Sequence, residues 1–136
     1  MYETDAPRGD IRHLDRYKQL ISWSGLETPR KITPTDCEGL MDFGGIALIN
    51  IELKLIDAPF HYGQKLAFQN MIDTYNEAGK KGCIILARHN SKPEEIIDGA
   101  NCIVETIYVN KEWHSVKGKT VKDVLSYYIK KWRLDK

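Results

Sequence analysis

The sequence predicts an α/β domain in which helices flank a mixed central sheet. Three observations predict it. "CIILARH" (83–89) is a short apolar run of strand length, the kind found in a strand covered on both faces. "GQKLAFQNMIDTYNEAGKKG" (63–82) sets Phe68, Met71, Ile72 and Tyr75 on one helical stripe. Two further apolar runs meet at Gly44-Gly45 and read as a hairpin. Helix and strand periods therefore alternate along the chain, as in layered α/β folds.

The elements follow in order. Asp10 can cap a helix over "IRHLDRYKQLISW", because Ile11, Leu14, Tyr17 and Ile21 fall at helical spacing. The hairpin comes next, then the helix of 63–82, which Gly79 or Gly82 stops. After the apolar strand, "NCIVETIYVN" alternates and reads as another strand, with Trp113 packing at a sheet edge and hairpin beyond it. Thr120 and Asp123 form a capping arrangement that opens a last helix through Trp132, with Tyr127, Tyr128 and Trp132 packing it on the sheet. The chain shows no repeat, low-complexity stretch or linker, so a single domain spanning 1–136 is expected.

Composition narrows the function classes. Hydrophobic residues make up 42% and charged residues 29%, which is globular rather than disordered. No apolar run approaches the ~20 residues of a membrane helix, and the acidic, polar start is unlike a secretory signal. Cys37, Cys83 and Cys102 are odd in number and lack a Cys-x-x-Cys pair, which points to the cytoplasm and away from a zinc ribbon or disulfide framework. The net charge of +1 is unevenly spread. Residues 111–136 hold eight Lys/Arg against three acids, and residues 1–110 hold twelve against sixteen. Lys117, Lys119, Lys130 and Lys131 are accordingly the candidates for contact with a phosphate backbone.

The hairpin carries the chemistry. Strand side chains alternate between faces, so Asp36, Glu38, Leu40 and Asp42 share one parity, as do Leu48, Asn50, Glu52 and Lys54. Polar meets polar only if even residues pair with even ones. A three-residue loop, Phe43-Gly44-Gly45, gives that match and sets Asp36 opposite Glu52. A slip of two residues sets Glu38 opposite Glu52 instead. Either register gathers carboxylates beside the Lys54 amine, and like charges across a sheet repel. A divalent cation offsets that repulsion, since Mg²⁺ takes one or two carboxylates plus waters and phosphate oxygens. Cys37 falls on the opposite parity and is expected as a small buried hydrophobe. Gln64 lies four residues before Phe68 and seven before Met71, so its amide belongs to the inward stripe of a first helical turn, beside unpaired N–H groups that favour an anion.

"PTDCEG" (34–39), "ELK" (52–54) and "APFHYGQ" (58–64), in that order, resemble the PD-(D/E)xK nuclease superfamily, and within it a group of small phage and prophage proteins. The similarity runs from about residue 30 to about residue 115. The resemblance implies a restriction-endonuclease-like fold that cuts phosphodiester bonds with Mg²⁺ or Mn²⁺. It implies Asp36 and Glu52 as metal ligands, with Glu38 as a further carboxylate. Lys54 is then the residue that orients water or stabilises charge on the phosphate, and Gln64 a catalytic-site amide. DNA, branched DNA included, is the implied partner. A homodimer is implied by the junction-cutting relatives, and a bacterial host's cytoplasm by a phage origin. The chain departs from the pattern in inserting Thr35 between Pro34 and Asp36, in carrying Glu38 where the relatives have Asp, and in lacking a clear glutamate on its first helix. Two rival readings use the same residues: a catalytically inactive nucleic-acid or protein interaction module on this fold, and a hydrolase using Asp36 and Glu52 as an acid/base pair.

Overall fold

The computed structural model describes residues 21–26, 28–32 and 34–136. Chain contacts divide it into two compact units, residues 1–34 and residues 35–136. The first unit's described part holds two turns, closed by Leu26 N–H on Trp23 O and by Lys31 N–H on Thr28 O. The helix expected over 11–23 lies outside the described residues except for Ile21, Ser22 and Trp23, which carry no regular structure.

The second unit is a mixed α/β fold built on one five-stranded sheet. Strands β1 (Gly39–Phe43) and β2 (Ala47–Leu55) form the hairpin, and helix α1 (Tyr62–Glu77) follows. Strand β3 (Lys81–His89) runs parallel to β2, and β4 (Ile103–Val109) and β5 (Glu112–Ser115) continue the sheet antiparallel before helix α2 (Val121–Lys131). Strand order is β1-β2-β3-β4-β5. The β2–α1–β3 crossover creates the one parallel pair, because parallel strands need a helix-length connection.

Parity sorts the core into two layers. Leu48 of β2 and Ile84 of β3 meet Phe68 and Ile72 of α1. Ile49, Cys83, Ile85 and Ala87 face the other way and meet Val121, Val124 and Tyr128 of α2. Six consecutive residues of β3, Gly82 to Ala87, are buried, as its apolar run requires when helices lie on both faces. Two aromatic tips bind α1 to the far strands: Tyr108 Oη donates to Asp73 Oδ1 at 2.7 Å and Trp113 Nε1 to Gln69 Oε1 at 3.0 Å. Gly82 lets α1 come close, since a Cβ there would stand 3.1 Å from Ile72 Cδ1 and 3.3 Å from Leu48 O. The capping box of α2 forms as expected, with Thr120 Oγ1 accepting from Asp123 N–H and Asp123 Oδ2 from Thr120 N–H. Among the described residues no helix is long and apolar enough to cross a membrane.

Candidate active site

Glu52 is the centre of the site. It sits on β2, whose apolar run makes it an interior strand between β1 and β3. Its even parity turns it towards the α1 face with Leu48, and it is 0% exposed. Burial, more than anything else, pushes its carboxyl up to about 7 from 4.5, and the Glu38 and Asp36 charges push the same way. The Lys54 ammonium opposes them and does not prevail. Glu52 Oε1 lies 3.5 Å from Lys54 Nζ yet has no hydrogen-bond partner among the described residues.

Gln64 joins the pieces. It stands in the first turn of α1, whose N-cap residue, His61, supplies no side-chain cap. Its Oε1 accepts from Lys54 Nζ at 3.0 Å, and its Nε2 donates to Asp36 O at 3.1 Å and, at 3.5 Å, to Glu52 Oε2. One amide thus touches the other three residues of the expected catalytic group. Phe60, in the loop before α1, lies under the lysine, with Lys54 Nζ 5.7 Å from its ring centre. Arg88 of β3, the register partner of Lys54, anchors that loop by donating to Leu55 O and Ala58 O and pairs with Glu105 at 3.1 Å.

The hairpin takes the second of the two expected registers. Phe43 pairs with Ala47 and Gly39 with Ile51, so the loop is Gly44-Gly45-Ile46 and Glu38, rather than Asp36, stands at the level of Glu52. Gly44 and Gly45 both have positive φ, 61° and 76°, and Asp42 Oδ1 accepts from Gly45 N–H at 2.9 Å, which fixes the turn. The parity reading also stops short. β1 begins only at Gly39, after a bend at Glu38, and alternation holds only within a continuous strand. Cys37 consequently does not go to the far face. It is exposed, and its Sγ donates to Asn50 Oδ1 at 3.3 Å, on the side of Glu52. Glu38 Oε2 accepts from Leu53 N–H at 2.9 Å, so one of its oxygens is committed to the main chain of β2. Asp36 offers Gln64 its main-chain carbonyl, and its carboxylate is near enough to raise the Glu52 pKa.

The donor set fits a hard divalent cation of the kind that uses few protein ligands. Glu52 Oε1 accepts no hydrogen bond among the described residues, and the Glu38 and Asp36 charges act on the same carboxyl, which matches the one or two carboxylates that Mg²⁺ takes from protein. Among the described residues no group of three or more His, Cys, Asp or Glu is arranged to hold a metal ion, so the remaining ligands would be water and substrate oxygens.

The expected phosphate-contacting lysines lie elsewhere. Lys117 and Lys119 are exposed in the β5–α2 connection, and Lys130 and Lys131 are exposed in the last turn of α2. α2 covers the sheet face opposite to Glu52, which takes Lys130 and Lys131 away from it, and among the described residues no hydrogen bond or ion pair brings Lys117 or Lys119 to Glu52, Lys54 or Gln64. The nearest lysine on α1 is Lys65, beside Gln64, with Nζ 4.8 Å from the Trp113 ring centre. Asn50 carries a sequence signal of the same kind as Glu52: it is a polar side chain of Glu52's parity inside an apolar strand, and it is buried like Glu52.

No protein-family model, no curated protein and no solved structure matches this chain. Its functional reading rests on the residues themselves.

Proposed function

We propose that the chain is a metal-dependent nuclease of the PD-(D/E)xK type, with a restriction-endonuclease-like core, hydrolysing phosphodiester bonds in DNA. The observation that carries the reading is the buried Glu52 carboxylate, whose Oε1 accepts no hydrogen bond among the described residues, ion-paired with Lys54 at 3.5 Å and tied through Gln64 to the Asp36 segment. A carboxylate is rarely buried without such a use, because desolvation disfavours its charge. Asp36 and Glu52 would hold Mg²⁺ or Mn²⁺, whose chemistry when bound is Lewis-acid stabilisation of charge on the phosphate.

The chain's own groups have distinct tasks. Glu52 must be ionised to bind a cation, and with a pKa of about 7 it loses its proton close to neutral pH. Lys54 places an ammonium 3.5 Å from Glu52 Oε1, where it orients a water or meets developing negative charge on a phosphoryl oxygen. Gln64 holds that ammonium by accepting from it and holds the Asp36 segment by donating to it, so both are oriented before substrate arrives. DNA as substrate, branched forms included, and action as a homodimer come from the resemblance of "PTDCEG", "ELK" and "YGQ" to the phage-type members.

An inactive interaction module on the same fold is the second reading. It is favoured by the lack, among the described residues, of any three-ligand group and by the position of Lys130 and Lys131 on the helix that covers the opposite face. Calorimetry with Mn²⁺ separates the two. The nuclease reading expects one binding event in the parent protein that Asp36→Ala abolishes and Lys54→Ala preserves. Absence of Mn²⁺ binding in the folded parent would leave the module in front.

A further inference from the structure

One buried group beside Glu52 has no task in the scheme above. Asn50 stands two residues earlier on the same face of β2 and is 0% exposed. Its Oδ1 accepts from Cys37 Sγ, while its Nδ2 has no partner among the described residues. Turning the amide over only exchanges which end is left unpaired. A buried amide with an unmet donor destabilises a fold, whereas a leucine there, like Leu48 on the same face, would not. The asparagine is therefore costly to stability where it stands.

Its contact shows what it holds. Residues 36–38 precede β1 and make no main-chain ladder bonds among the described residues. Among the described residues three bonds pin them instead: Asp36 O accepts from Gln64 Nε2, Cys37 Sγ donates to Asn50 Oδ1, and Glu38 Oε2 accepts from Leu53 N–H. The middle bond ties the segment to the buried face of the sheet, directly after Asp36. We propose that Asn50 and Cys37 are positioning residues that hold the Asp36 carboxylate towards Glu52 for cation binding. This rests on the metal-dependent reading, and the pair acts through Asp36 without touching substrate itself.

The test uses Mn²⁺ alone as the probe. Calorimetry would compare the parent with Asn50→Leu, Cys37→Ala, Cys37→Ser, the Asn50→Leu/Cys37→Ala double variant and Asp36→Ala. Melting in EDTA and amide exchange at Leu53 would be followed in parallel. Asn50→Leu is expected to melt no lower than the parent, to weaken Mn²⁺ roughly 10–100-fold, and to speed exchange at Leu53. Cys37→Ala is expected to weaken Mn²⁺ similarly, Cys37→Ser to retain binding because it keeps a donor, and the double variant to be no worse than Asn50→Leu alone. Unchanged Mn²⁺ affinity in Asn50→Leu, with binding abolished in Asp36→Ala, would overturn the positioning role and spare the metal reading. Loss of affinity only together with a lowered melting temperature would reduce Asn50 to a structural residue. Binding that is absent, or indifferent to Asp36→Ala, would remove the metal reading and this proposal with it.

Discussion

Burial raises the Glu52 carboxyl pKa to about 7, so its protonation bears on the stability of the fold close to neutrality. Its native pKa is raised above its unfolded value, so the native state holds the proton more tightly. The metal-free protein should therefore be most stable with Glu52 protonated, lose stability as pH climbs from about 4.5 to about 7, and level off above that. At 1.36 kcal/mol per pKa unit the loss is on the order of 3 kcal/mol. Melting in EDTA at pH 5 and pH 8 should show the fall in the parent, little of it in Glu52→Gln, and recovery at pH 8 on adding Mn²⁺. A melting temperature equal at both pH values in the parent would mean that Glu52 is not desolvated as described. At this scale much was legible in the sequence: Glu52, Lys54 and Gln64 meet as parity and helical phase suggested. Cys37 was not, because its side is set by a bend that only the tertiary start of β1 defines.

Elements position those residues through close approach. α1 can seat Gln64 over β2 only because its middle turns lie tight against β3, where Gly82 has no Cβ to obstruct Ile72. Gly82→Ala should therefore overpack that contact and destabilise the fold by about 1–3 kcal/mol in denaturant unfolding. Ile72→Val, which deletes Cδ1, should recover part of the loss in the double variant. A neutral Gly82→Ala would show that α1 can shift without cost. The apolar run of β3, the stripe of α1 and the capping box of α2 were readable because each is a local pattern that tertiary packing reinforces. The hairpin register was narrowed to two choices and no further. Which three residues form its loop depends on the Asp42 bond to Gly45 and on pairing energies that adjacent registers nearly share.

At the scale of the whole second unit, the sheet separates two surfaces. One carries Glu52, Lys54 and Gln64 under the start of α1, and the other carries α2 with Lys130 and Lys131. Sequence alone placed the basic C-terminal segment beside the acids in purpose but could not say which face α2 would take, since that is decided by topology. The two surfaces should be separable by mutation. Replacing Lys117, Lys119, Lys130 and Lys131 with alanine should leave Mn²⁺ affinity unchanged while weakening DNA binding and flattening its salt dependence in anisotropy titrations. DNA affinity unaltered by all four changes would restrict substrate contact to the α1 face. The central claim is phosphodiester cleavage by the Glu52 cluster, and the most direct measurement incubates the protein with supercoiled plasmid, single-stranded DNA and a four-way junction in Mg²⁺, Mn²⁺ or EDTA, beside Lys54→Ala. The account predicts cutting of at least one substrate with either metal, none in EDTA, and its loss in a folded Lys54→Ala protein that still binds Mn²⁺. Cutting that persists in EDTA or in Lys54→Ala, or no cutting by a parent protein that binds no metal, would contradict it.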